Sequence, residues 1–107
     1  MTDEVVITDE RIEHIKEHHP NDYERFSDYL PLIISEPDYI LEDVRPNTAV
    51  ILKEIVEQEE RFRLALRLVT PLDNPDYKNS IITFMKIRQK EWNRLIKNKT
   101  VLYKKES

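Results

Sequence analysis

Arg61-Phe62-Arg63-Leu64-Ala65-Leu66-Arg67-Leu68-Val69 alternates with a period of two. Phe62, Leu64, Leu66 and Leu68 fall on one side of an extended chain. Arg61, Arg63, Ala65, Arg67 and Val69 fall on the other. A slip of one residue would bury the arginines, so this pattern specifies a half-buried strand in a fixed register. The leucine side must pack on something apolar, and the arginine side is expected to stay open to water or a ligand. That arrangement is an antiparallel sheet with helices stacked on one side and a basic surface on the other.

Outward from this strand, the rest of the chain fits the same plan. After Pro37 the pattern turns from helical to alternating. Strands are expected at about 38–44, 48–56, 61–69, 79–88 and 100–104. The polar run Glu57-Gln58-Glu59-Glu60 joins two of them as a hairpin, and 71–76 is dense in turn formers. Upstream, Val5-Val6-Ile7 is a short apolar segment. Thr8 or Asp9 caps a helix that runs to about His19 and stops at Pro20. A second helix, capped by Asn21 or Asp22, runs to about Ser35, with Pro31 expected to kink or split it. A helix at about 89–98 carries Trp92, Leu95 and Ile96. The expected fold is α+β: two N-terminal helices on one face of a four- to five-stranded, mostly antiparallel sheet, with one further helix before the last strand. At 107 residues the chain, 1–107, makes one domain.

Composition narrows the chemistry. Glycine is absent, against a usual ~7%. Phosphate-cradling loops and nucleophile elbows need backbone conformations that glycine supplies, so those mechanisms are excluded. Turns must rely on Pro, Asn and Asp. Cysteine is also absent, which excludes disulfides and thiolate chemistry and fits a reducing, cytoplasmic setting. No apolar run reaches the ~20 residues of a membrane span, and the acidic N-terminus does not read as a signal peptide. The net charge is −4, but residues 1–60 hold 17 acidic and 5 basic side chains, while 61–107 hold 4 acidic and 12 basic ones. Such asymmetry points to a polyanionic partner, or to pairing of the two halves within the fold.

All three histidines lie in His14-Ile15-Lys16-Glu17-His18-His19. Three readings compete. His14 to His18 matches H-x-x-E-H, a zinc-hydrolase spacing, yet a catalytic site needs a third ligand, and with no cysteine and no histidine outside this segment it would have to be a carboxylate. The histidines are also ordinary polar residues of a solvated helix. Finally, histidine can take and give protons near neutrality, as metal-free RNA cleavage requires, with arginine to stabilise the charge on phosphorus. In Asn79-Ser80-Ile81-Ile82-Thr83-Phe84 two hydroxyls stand three residues apart. They fall on opposite faces of a regular strand, so a bulge or strand end must intervene if both serve one site. Lys53, Arg63, Trp92 and Tyr103 are candidates for substrate contact: the cations for phosphate, the aromatic rings for base stacking, although Trp92 also suits packing its helix on the sheet.

The order His14-Ile15, His19-Pro20, Pro37-Asp38-Tyr39-Ile40, Leu66-Arg67-Leu68 and Ser80-Ile81-Ile82-Thr83 resembles the phage-borne branch of the barnase–EndoU–colicin–RelE-like (BECR-fold) nucleases, over roughly 8–104. The resemblance implies N-terminal helices followed by an antiparallel sheet. It implies a small metal-independent endoribonuclease or toxin domain that uses no cofactor. RNA, tRNA among the candidates, would be the substrate, and an immunity or antitoxin protein a partner. It implies that His14, Arg67, Ser80 and Thr83 line the active site, with His19 a better match than His18 for the second histidine. Lys53 corresponds loosely to the catalytic lysine of EndoU-like members. The product would carry a 2′,3′-cyclic phosphate. The alternative is a non-catalytic module that binds RNA or a protein through the basic sheet face.

Overall fold

The structure is a computed structural model and describes residues 5–18, 21–68 and 79–105. Six strands form one sheet in the order β1-β5-β4-β3-β2-β6. They are β1 (Val5–Val6), β2 (Tyr39–Glu42), β3 (Thr48–Ile55), β4 (Glu60–Arg67), β5 (Asn79–Ile87) and β6 (Val101–Lys104). Every pairing is antiparallel except β1 with β5. The sheet is therefore mixed and has one strand more than the sequence pattern predicts. Two residues are too few for an alternation to register, so β1 is invisible to periodicity.

The helices are α1 (Asp9–His18), α2 (Asp22–Phe26), α3 (Leu30–Ser35) and α4 (Gln89–Asn98). Thr8 caps α1: its hydroxyl accepts the Arg11 N–H at 3.2 Å. Asp9 and Glu10 sit at the positive end of the helix dipole, and Lys16 and His18 at the negative end. The predicted second helix is divided earlier than Pro31, by a 3-10 turn at Ser27–Tyr29. Pro31 itself lies in the first turn of α3, where its missing N–H costs no hydrogen bond. Left-handed backbone occurs at Asn21, Asn47 and Glu59. The two asparagines are the expected substitutes for glycine; Glu59 is not, and it closes the β3–β4 turn through its N–H to the Val56 carbonyl at 3.1 Å.

Two cores occupy the two sides of the sheet. On one side α1, α2 and α3 cover the leucine stripe: Ile15, Phe26, Leu30 and Ile33 pack on Phe62, Leu64, Leu66, Ile81 and Phe84. This is the helix face. On the other side Trp92 and Leu95 of α4 pack on Leu41, Val50 and Leu52, with Tyr39 beside them. The arginine side of β4 is thus not an open surface along its whole length. The apolar residues that β2 and β3 present on that side require cover, and α4 provides it across part of the sheet. No helix among the described residues is long and apolar enough to cross a membrane.

Candidate active site

The α4 face of β4 carries Arg61, Arg63, Ala65 and Arg67. Pairing with β5 sets what stands beside them. Arg67 lies opposite Ser80, Leu66 opposite Ile81, and Ala65 opposite Thr83, so Ile82 has no counterpart in β4. This is a β-bulge, and it shifts the alternation of β5 by one residue. Ser80 and Thr83 consequently emerge on the same face as Arg67, three residues apart though they are. On the other flank Arg67 lies opposite Thr48 of β3. A row Thr48–Arg67–Ser80 crosses three strands, with Thr83 one step along β5. Directly opposed residues in a sheet sit about 5 Å apart at Cβ, close enough for side chains to engage one ligand. Thr48 escapes the sequence reading because only the register places it here. It is buried, and its hydroxyl donates to the Pro46 carbonyl at 3.0 Å.

Next to this row a cleft of about 630 Å³ opens beside α4, lined by Asp43, Arg63, Arg94, Asn98 and Lys99 among others. Glu91 binds Arg94 in a two-armed pair, with Arg94 Nε donating to Oε2 at 2.9 Å. Arg63 Nη1 lies 3.8 Å from the same carboxylate. Hydrogen bonds from Arg94 hold the Glu91 carboxyl below its ordinary range against the opposing effect of burial, and the charges of Arg94 and Arg63 add to this. At the cleft wall Asp43 accepts from Arg45 Nε at 2.6 Å and Lys99 Nζ at 3.1 Å. Burial raises the Asp43 pKa, but these two cations outweigh it and hold it at about 2.

The sign of that shift gives a prediction. A carboxylate with a depressed folded pKa stabilises the fold above its unfolded pKa, here near 3.8, and loses that contribution as pH falls towards 2. Asp43 should supply about 2 kcal/mol at neutral pH that disappears between about pH 5 and pH 2. Urea unfolding at these two pH values should show the loss in the wild type, and Asp43→Asn should lack it. An equal loss in the variant would refute the assignment.

The other expected site residues are dispersed. His14 is exposed on α1, its ring centroid 4.4 Å from that of His18. Lys16 of α1 turns towards α2, with Nζ 3.6 Å from Glu24, so His14 occupies the flank turned away from α2. Since α1 packs on the helix face through Ile15, it lies on the side of the sheet opposite to the one the Arg67 side chain faces. His19, Val69 and the turn-rich segment 71–76 lie outside the described residues. Lys53 alternates onto the helix face, opposite Phe62. It is buried, with Nζ 3.5 Å from Asp38, so it is a structural ion pair rather than part of the basic row. Trp92 is a core residue, edge-on to Tyr39 at 5.9 Å between ring centroids, and its role is to pin α4 to the sheet. Tyr103 stands half-exposed on the edge strand β6. Among the described residues no three metal-binding side chains converge.

No curated protein and no solved structure matches the chain. A family model does match it, over residues 1–104, and that family is described as phage-Barnase-EndoU-ColicinE5/D-RelE like nuclease2. The match spans nearly the whole chain and both walls of the cleft. The protein therefore belongs to the phage-Barnase-EndoU-ColicinE5/D-RelE like nuclease2 family, whose name makes it a nuclease and nucleic acid its substrate.

Proposed function

We propose that this nuclease is an endoribonuclease whose scissile phosphate lies on the α4 face, against Arg67, Ser80 and Thr83. The bulge at Ile82 carries this reading, because it assembles an arginine and two hydroxyls on one surface from residues whose spacing would otherwise separate them. Arginine offers a planar fork that matches two phosphate oxygens, and the hydroxyls can donate to the remaining ones. In the proposed reaction the 2′-oxygen forms a bond to phosphorus, the bond from phosphorus to the 5′-oxygen breaks, the 2′-hydroxyl proton passes to solvent, and a proton from solvent joins the 5′-oxygen. The products are a 2′,3′-cyclic phosphate and a 5′-hydroxyl. Arg67 stabilises the charge that accumulates on the phosphorane. No metal ion enters this scheme.

A second reading runs the proton transfers through His14, with His19 as its partner. In its favour, His14 is exposed on the outer flank of α1 and its ring lies against that of His18, open to an RNA that passes around the sheet edge.

The test is incubation of the purified protein with end-labelled structured and single-stranded RNA in the presence of a chelator. The expected result is cleavage to fragments ending in a cyclic phosphate. Intact RNA would leave a binding module, and 5′-phosphate ends would show a different reaction.

A further inference from the structure

Arg63 and Arg94 share a single carboxylate, and most of their donors are unspent. Arg63 carries five N–H donors, its nearest Glu91 oxygen is 3.8 Å away, and its Nε is buried without a hydrogen-bond partner. Arg94 is largely exposed and holds Glu91 by two parallel bonds, the geometry arginine also uses on a phosphate. Arg63, from β4, and Arg94, from α4, both line the cleft, and both lie against the same Glu91 oxygen. Of the acidic residues at this cleft, Asp43 is neutralised by Arg45 and Lys99, and Glu42 is exposed to solvent.

We propose that this cleft is a second phosphate subsite for single-stranded RNA, held by Arg63 and Arg94, and that the Glu91 carboxylate engages these two guanidinium groups as a stand-in until the substrate arrives. The inference rests on the endoribonuclease reading and names where the strand goes next. Arg63 and Arg67 are four residues apart on one face of β4, or about 13 Å. That distance is too long for two oxygens of one phosphate. It suits separate phosphates of one strand, so the RNA runs along β4 from the Arg67 row into the cleft. Substrate entry replaces the Glu91 pair with a phosphate pair, and Glu91 swings to solvent at the cleft mouth.

The measurement is binding of 2′-O-methyl oligouridines, a dinucleotide and a hexanucleotide, over a range of salt. The methyl group blocks the nucleophile, so binding is read without cleavage. For the hexanucleotide, Arg94→Ala should reduce the slope of log affinity against log salt by about 0.7, the value for one phosphate contact on a single strand. The dinucleotide, too short to span both sites, should be indifferent. Glu91→Gln should tighten the hexanucleotide about fivefold by removing the competing charge. Arg94 is exposed, so its variant will fold, and Glu91→Gln provides an independent reading. If both variants bind the hexanucleotide like wild type while Arg67→Ala weakens it, RNA does not enter the cleft and the subsite is refuted, with the endoribonuclease reading intact. If the wild type binds neither oligonucleotide at low salt, that reading falls and the subsite with it.

Discussion

Replacement of Arg67 by alanine is expected to slow RNA cleavage by about 10²- to 10³-fold, the usual cost of removing one donor aimed at developing charge. The side chain ends on the α4 face beside Ser80 and Thr48, and it is exposed, so its loss leaves no cavity. Arg67→Lys should fall between wild type and alanine, because lysine keeps the charge and lacks the two-armed fork. His14→Ala should cost less than about tenfold, below the usual range for a general acid or base, because the sheet separates it from the phosphate row. The comparison is made on kcat/KM for one RNA under one salt condition. A His14→Ala loss equal to or larger than that of Arg67→Ala would move the reaction to the helix side and favour the histidine-centred reading.

Phe62→Ala should cost about 3–5 kcal/mol, a large part of the 5–15 kcal/mol that holds a domain of this kind folded. Phe62 is fully buried at the middle of the helix-side core. Its ring meets Phe84 at 5.5 Å, Phe26 at 4.9 Å and Tyr29 at 6.0 Å between centroids. One truncation therefore weakens the contact of α2 and its following turn with β4 and β5 together. Leu102→Ala serves as the contrast. That side chain is exposed on β6, and a change of less than about 0.5 kcal/mol is expected. Urea unfolding midpoints at constant slope read both values. A Phe62→Ala loss below about 1 kcal/mol would mean that the core collapses around the gap.

The alternation in β4 is enough to read an antiparallel sheet whose leucine side packs on the N-terminal helices, because half-buried strands cannot shift register without exposing their leucines. Its neighbour β5 on the other flank is not named by it. The turn residues and the α4 stripe gave element limits within a residue or two. What escaped the sequence depends on information that no local pattern holds. The strand β1 is too short for periodicity. The cover that α4 provides follows from Tyr39, Leu41, Val50 and Leu52 adding up to one apolar patch, which appears only when β2 and β3 are set side by side. Lys53 reads as a candidate phosphate contact, yet alternation within β3 sends it to the helix face, where Asp38 meets it. Within the proposed site, residue type and order single out Arg67, Ser80 and Thr83, and their spacing already implies the need for a bulge between the hydroxyls. The separation of His14 from them was not legible. Neither residue's own pattern says which side of the sheet its neighbour occupies.

The unpaired Ile82 also means that the proposed site is written as a residue count rather than as residue identity. Along β5, parity decides which side chains meet Arg67, and Ile82 is the one residue that changes parity. Were Ile82 paired in a regular ladder instead, with every arginine and hydroxyl retained, Ser80 and Thr83 would point to opposite sides. An apolar side chain with no chemistry of its own thus holds the same rank in this surface as the polar groups it brings into phase.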